Sequence, residues 1–262
     1  MLSVIPCNNE SKKGQTAKIK SSGKSGSPDS HTGCCVKQFL TKLAVVACVT
    51  YTLTSKGDSL STLSIHILYV INMYACMGCL YDGPTTLATS MVGLNIAPLF
   101  NEPFLAESLS SFWGRRWNLC VGNSVRVLIY DPIQEGQFVI SKTETQHTTV
   151  LRRWAGACAC FLVSGLMHEV IYWYGNDMHT KNWSWLTFFG IQGIIVGFEG
   201  VGKKLMTKKG FTVPHWLAAC LTVSLQMWLA HALFFPALTD AKLPAKLHGA
   251  LVTNYHSLLS VL

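Results

Sequence analysis

Five apolar runs, near 38–54, 60–81, 150–174, 184–200 and 212–236, leave this chain of 262 residues few ways to fold. A helix needs roughly 17–25 apolar residues to cross the hydrocarbon core of a bilayer, and each run approaches or meets that length. Within lipid every backbone N–H and C=O must find a partner inside the protein, so isolated runs of this length dictate helices. Two shorter stretches, 86–100 and 118–131, either span or lie as interfacial or re-entrant helices. The expected fold class is all-α, a multi-pass transmembrane protein with about five to seven membrane helices plus interfacial ones.

Composition supports the same reading. Hydrophobic residues make up 49% of the chain and charged residues only 13%, about half the charge of an ordinary soluble domain. Mean hydropathy is +0.30. Ten cysteines are present, but most lie within apolar stretches, where a thiol behaves as a small hydrophobe. Cys76 and Cys79 have metal-type spacing without a second Cys or His pair nearby, so no metal is expected.

The formal charge of +8 is concentrated in places. Residues 1–37 carry six lysines against Glu10 and Asp29 among Ser and Gly, which predicts a disordered basic tail on the cytosolic side. No folded basic surface accompanies it, so no nucleic-acid partner is expected. Residues 38–243 form the expected membrane domain, and 244–262 an amphipathic terminal tail. Arg152-Arg153 and the cluster Lys203, Lys204, Lys208, Lys209 face the cytosol by the positive-inside bias, with a lumenal turn at 175–183 between the two helices. An interfacial 118–131 segment keeps Arg115-Arg116 on the cytosolic side as well.

Two clusters stand out against the apolar background. Phe112-Trp113-Gly114-Arg115-Arg116-Trp117-Asn118 packs two indoles, two guanidiniums and an amide into seven residues. If 113–126 is one helix, Arg115, Asn118, Gly122 and Arg126 share a stripe, while Trp113 and Trp117 form an aromatic face. Paired guanidiniums suit phosphate groups; the competing reading is an interfacial anchor with Trp at headgroup depth and Arg snorkelling outwards. The second cluster, Ser164-Gly165-Leu166-Met167-His168-Glu169, sets an ionisable pair inside a membrane run, a candidate site by its cost alone. Ser164 and Gly165 are small and leave room beside the imidazole, and Glu169 lies about 100° around the helix from His168. A neutral buried imidazole can act as a general base on a hydroxyl. His66 and His231 also sit in apolar runs, and all three histidines have a simpler reading as helix-packing groups.

These two blocks, with Asn101-Glu102-Pro103-Phe104 before and Tyr130-Asp131-Pro132 between them, resemble the plant wax synthase branch of the membrane-bound O-acyltransferases. The resemblance covers roughly 60–236 and is densest over 98–174. It implies an enzyme of the endoplasmic reticulum membrane that moves a fatty acyl group from acyl-CoA to a lipid alcohol. It places the catalytic histidine at His168 and its partner at Asn118, with Trp113, Arg115, Arg116, Trp117, Arg126, Ser164 and Glu169 on the substrate side. Acyl-CoA, a lipid alcohol and membrane lipid are the implied partners. Acyl-CoA is a co-substrate, and no bound cofactor is implied. Members of the branch carry further apolar helices ahead of the matched region, so a shortened chamber is expected here. The alternatives are a sterol or diacylglycerol acceptor, a non-catalytic lipid- or partner-binding protein, and a transporter using the three histidines as a proton relay.

Overall fold

The computed structural model describes residues 28–92, 96–136, 149–211 and 213–241, and among them every regular element is a helix. In chain order these are α1 (Pro28–Lys56), α2 (Thr62–Val92), α3 (Leu109–Arg115), α4 (Leu119–Val125), α5 (Asp131–Glu135), α6 (Val150–Asn176), α7 (Ser184–Lys208), α8 (His215–Leu229) and α9 (Phe235–Asp240). Single π-helical turns at Arg126–Tyr130 and Ala230–Phe234 join α4 to α5 and α8 to α9. Five stretches are long and apolar enough to cross a membrane: Val36–Ser59, Thr62–Val92, Val150–Asn176, Lys181–Lys208 and His215–Asp240. This is an integral membrane protein built on the five runs visible in the sequence.

The boundaries differ from expectation in three places. Helix α1 begins at Pro28, inside the stretch read as a disordered tail; residues 1–27 and the terminal segment 244–262 lie outside the described residues. Residues 86–92 are the last turns of α2 rather than a separate segment, and 96–100 are irregular. The 118–131 stretch forms α4 and a π-helical turn that runs on into α5, and it is not among the five stretches long and apolar enough to cross a membrane.

The chain divides into two compact units, Met1–Thr52 with Val70–Leu99 and Leu53–Tyr69 with Phe100–Leu262. In the first, α1 and α2 are pinned by an ion pair between Lys42 and Asp82, both largely shielded. That pairing explains how a lysine is tolerated in a membrane run: its counter-ion is supplied by the next helix. Gly78 makes room for it, since a Cβ there would stand 2.7 Å from the Lys42 Cδ.

The second unit is organised by the antiparallel pair α6 and α7. Between membrane helices the driving force is close packing rather than exclusion of water, and small residues permit it. A Cβ on Gly165 would lie 3.0 Å from the Leu186 Cα and 3.1 Å from the Phe189 Cβ. The space at Gly165 is therefore filled by the backbone of α7, not left free beside the imidazole. Further along, the Trp154 indole lies over Gly197 and donates to the Gly193 carbonyl at 3.1 Å. Overfilling such a contact typically costs about 1–3 kcal/mol. Gly165→Leu should lower the thermal unfolding midpoint of the detergent-solubilised protein accordingly, and an unchanged midpoint would contradict this helix contact.

Candidate functional site

The turn between α6 and α7 is built around one carboxylate. Glu169, 2% exposed, accepts from the Thr180 N–H at 2.9 Å, the Thr180 hydroxyl at 2.6 Å, the Trp185 N–H at 3.1 Å and the Leu186 N–H at 3.1 Å. An ionised carboxylate offers about two acceptor sites on each oxygen; here three donors converge on Oε1 and one reaches Oε2. Three of the four donors are backbone N–H groups, two of them in the first turn of α7, where negative charge also meets the positive end of the helix dipole. Glu169, expected on the substrate side, instead holds the turn and sets where α7 begins.

That starting point fixes the surroundings of His168. The imidazole, half-buried, stands with its centroid 4.5 Å from Phe189, 5.8 Å from Trp185 and 6.0 Å from Phe234. Trp185 is itself locked by donation of its indole N–H to the Phe234 carbonyl at 2.8 Å and by stacking on the Phe234 ring at 4.8 Å. The His168 Nδ1 lies 2.7 Å from the carbonyl of Ser164, one turn earlier on α6. A carbonyl can only accept, so Nδ1 carries the proton and Nε2 of the neutral ring keeps its lone pair. Ser164 thus acts through its backbone, fixing the tautomer.

The first block does not form one helix over 113–126. It breaks at Arg116–Asn118, so the stripe of Arg115, Asn118, Gly122 and Arg126 does not exist as such. Asn118 adopts the left-handed conformation, φ 42°, and caps α4 by accepting from the Val121 N–H at 3.3 Å. Asn is among the few residues that reach this region at modest cost. The cap engages only Oδ1, so the Nδ2 donors are not used by it.

Arg116 donates to the carbonyls of Asn101 and Glu102 at 3.3 and 3.0 Å and ties down the preceding loop. Arg126 pairs with Asp131 at 3.4 Å on an exposed surface. Arg115 is exposed in the last turn of α3. Trp117 stacks on Phe112 at 5.5 Å and tilts against Phe100 at 4.9 Å.

Trp113 joins this block to the histidine. Its ring lies 5.8 Å from both Phe161 and Phe189, and Phe189 in turn packs the His168 ring. Its indole N–H donates to the Gln192 Oε1 at 3.1 Å. At its other end, α3 is anchored to α7 by Glu199, which accepts from the Leu109 and Ser110 N–H groups at 3.0 and 3.1 Å. Glu199 is thus a second helix-start clamp, with Lys203 3.8 Å away. Among the described residues no hydrogen bond joins Asn118 directly to His168; it is Trp113 of the first block that reaches the histidine, through Phe189.

Sequence reasoning missed Phe189, Gln192, Trp185 and Phe234. Gln192 alone carried a signal, as an amide in an otherwise apolar run. His66 and His231, treated separately in the sequence, meet with their Nδ1 atoms 2.8 Å apart, and His66 is 2% exposed.

Comparison with known proteins agrees with this architecture. Residues 96–190, which hold both blocks, match the profile of the membrane bound O-acyl transferase family. The chain is 33% identical over 178 residues to a probable long-chain-alcohol O-fatty-acyltransferase 8 of Arabidopsis thaliana, covering 68% of this chain and 50% of that protein. It is 35% identical over 177 residues to a long-chain-alcohol O-fatty-acyltransferase of Simmondsia chinensis, covering 66% and 47%. An acyl-CoA–sterol O-acyltransferase 1 of Arabidopsis thaliana is 32% identical over 169 residues, covering 64% and 46%. The chain spans about half the length of these relatives. Over the region they share, it belongs to the membrane bound O-acyl transferase family, in its wax synthase branch.

Proposed function

We propose that this protein transfers a fatty acyl group from acyl-CoA to the hydroxyl of a long-chain alcohol, giving a wax ester, in the endoplasmic reticulum membrane. The observation that carries the reading is the 2.7 Å contact of His168 Nδ1 with the Ser164 carbonyl, which commits Nδ1 and leaves Nε2 as the basic atom. The alcohol oxygen attacks the thioester carbonyl carbon while His168 Nε2 takes the hydroxyl proton. The tetrahedral intermediate collapses with cleavage of the C–S bond, and the departing thiolate recovers the proton from the imidazolium. Ester and coenzyme A thiol leave, and the ring is neutral again. Asn118, with Oδ1 engaged at the helix cap, directs its Nδ2 donors to the oxyanion, the place where preorganised donors contribute most.

Acyl-CoA approaches from the basic end of the α6–α7 pair. Arg152 and Arg153 open α6, and Lys203, Lys204 and Lys208 lie in the last turns of α7. The positive-inside bias puts that end in the cytosol. The sterol named for one relative is the second acceptor to test.

Microsomes from a host lacking its own acyltransferases, expressing this chain and supplied with labelled acyl-CoA, should form ester with a long-chain alcohol in preference to a sterol. Loss of a general base lowers rates by about 10²–10⁴-fold. His168→Ala should fall by that amount while its membrane insertion is retained; turnover at the wild-type rate would rule out the assignment.

Asn118 permits a cleaner test than alanine. Glycine takes φ 42° without strain, and its loss of capping costs only a few tenths of a kcal/mol. Asn118→Gly should therefore fold normally and lose about 10²–10³-fold in kcat, the typical effect of removing one oxyanion donor. Normal kcat in that variant would exclude the amide from the reaction.

A further inference from the structure

We propose that the Gln192 side-chain amide donates a hydrogen bond to the thioester carbonyl oxygen of the bound acyl-CoA; this rests on the acyltransferase reading above. Gln192 is fully buried, at 0% exposure, yet its Nε2 finds no hydrogen-bond partner among the described residues. The orientation of the amide is determined by its neighbour. The Trp113 indole N–H is a donor only, so it must meet Oε1, and a flipped amide would set donor against donor. The two Nε2 protons are therefore the groups left over, and a buried donor without an acceptor costs free energy unless a ligand supplies one.

Position selects the ligand atom. Gln192 lies three residues beyond Phe189 on α7, and Phe189 packs the His168 ring at 4.5 Å. With a rise of ~1.5 Å per residue, the amide stands ~4.5 Å nearer the lysine-bearing end of α7 than that contact. A thioester entering from the basic end reaches the level of Gln192 just before its carbonyl carbon comes alongside His168. A carbonyl oxygen can only accept, which matches an orphan donor. The other two unpartnered buried polar atoms among the described residues are on Thr86 of α2 and Gln226 of α8.

The test compares two ligands of equal chain length, palmitoyl-CoA and its thioether analogue S-hexadecyl-CoA, which lacks the carbonyl oxygen. Binding to the full chain in nanodiscs is measured in a His168→Ala background, so that no turnover intervenes. The expected result is about tenfold tighter binding of the thioester. Gln192→Met should reduce that ratio to about one. Gln192→Glu keeps the acceptor for Trp113 but replaces the NH2, and it should also lose most of the preference. A purely structural role for Gln192 would weaken both ligands equally and leave the ratio unchanged. Persistence of the preference in Gln192→Met, or equal binding of both ligands by the parent chain, overturns the proposal and leaves the acyltransferase reading standing. Failure of the parent chain to bind either ligand overturns both.

Discussion

The carboxylate of Glu169 is the interaction on which the rest of the second unit depends. Four hydrogen bonds converge on it from Thr180, Trp185 and Leu186, and they turn the end of α6 into the start of α7. In lipid a turn of irregular backbone is tolerated only where its polar groups are satisfied by protein. A buried carboxylate is tolerable for the complementary reason: the N–H groups at a helix start have no intrahelical acceptor. Each half therefore removes the liability of the other. Once α7 starts at this point, Trp185 and Phe189 fall opposite His168, and the close approach at Gly165 holds them there.

The same device recurs at the other end of α7, where Glu199 receives the first N–H groups of α3. The two clamps give α7 contacts with both sequence blocks. One carboxylate, reaching from α6, fixes α7 beside the histidine, and the other, on α7 itself, fixes the start of the Trp-Arg block. The aromatic chain from Trp113 through Phe189 to His168 follows from those two fixed points.

The spans were legible in the sequence because they depend on a local quantity, the length of an apolar run. All five reappear within a few residues of the expected ends, apart from longer C-terminal extensions of α2 and α7. His168 was legible too, since an ionisable group in such a run is conspicuous. The division of labour among its neighbours was not. Glu169 and Arg116 looked like ligands for substrate because their chemistry fits that role, but their partners lie 11–17 and 14–15 residues away in chain order, and no periodicity reports them. The expected stripe over 113–126 failed at Asn118, where one left-handed residue ends the helical phase. Propensity allows that conformation at Asn but does not announce it.

The polar groups of the second unit differ in how many partners hold them. Glu169 receives four donors, Glu199 receives the first N–H groups of α3 with the Ser110 hydroxyl, and Arg116 holds two loop carbonyls. Three other groups are each held through a single side-chain atom. His168 uses Nδ1 and retains Nε2, Asn118 uses Oδ1 and retains Nδ2, and Gln192 uses Oε1 and retains Nε2. In each case one atom of the side chain is consumed in holding the other still. All three belong to the region around Trp113, Trp117 and Phe189. In the acyl transfer proposed for this protein, the free Nε2 is the proton acceptor and the free amide N–H groups are the donors for the oxygen that gains charge.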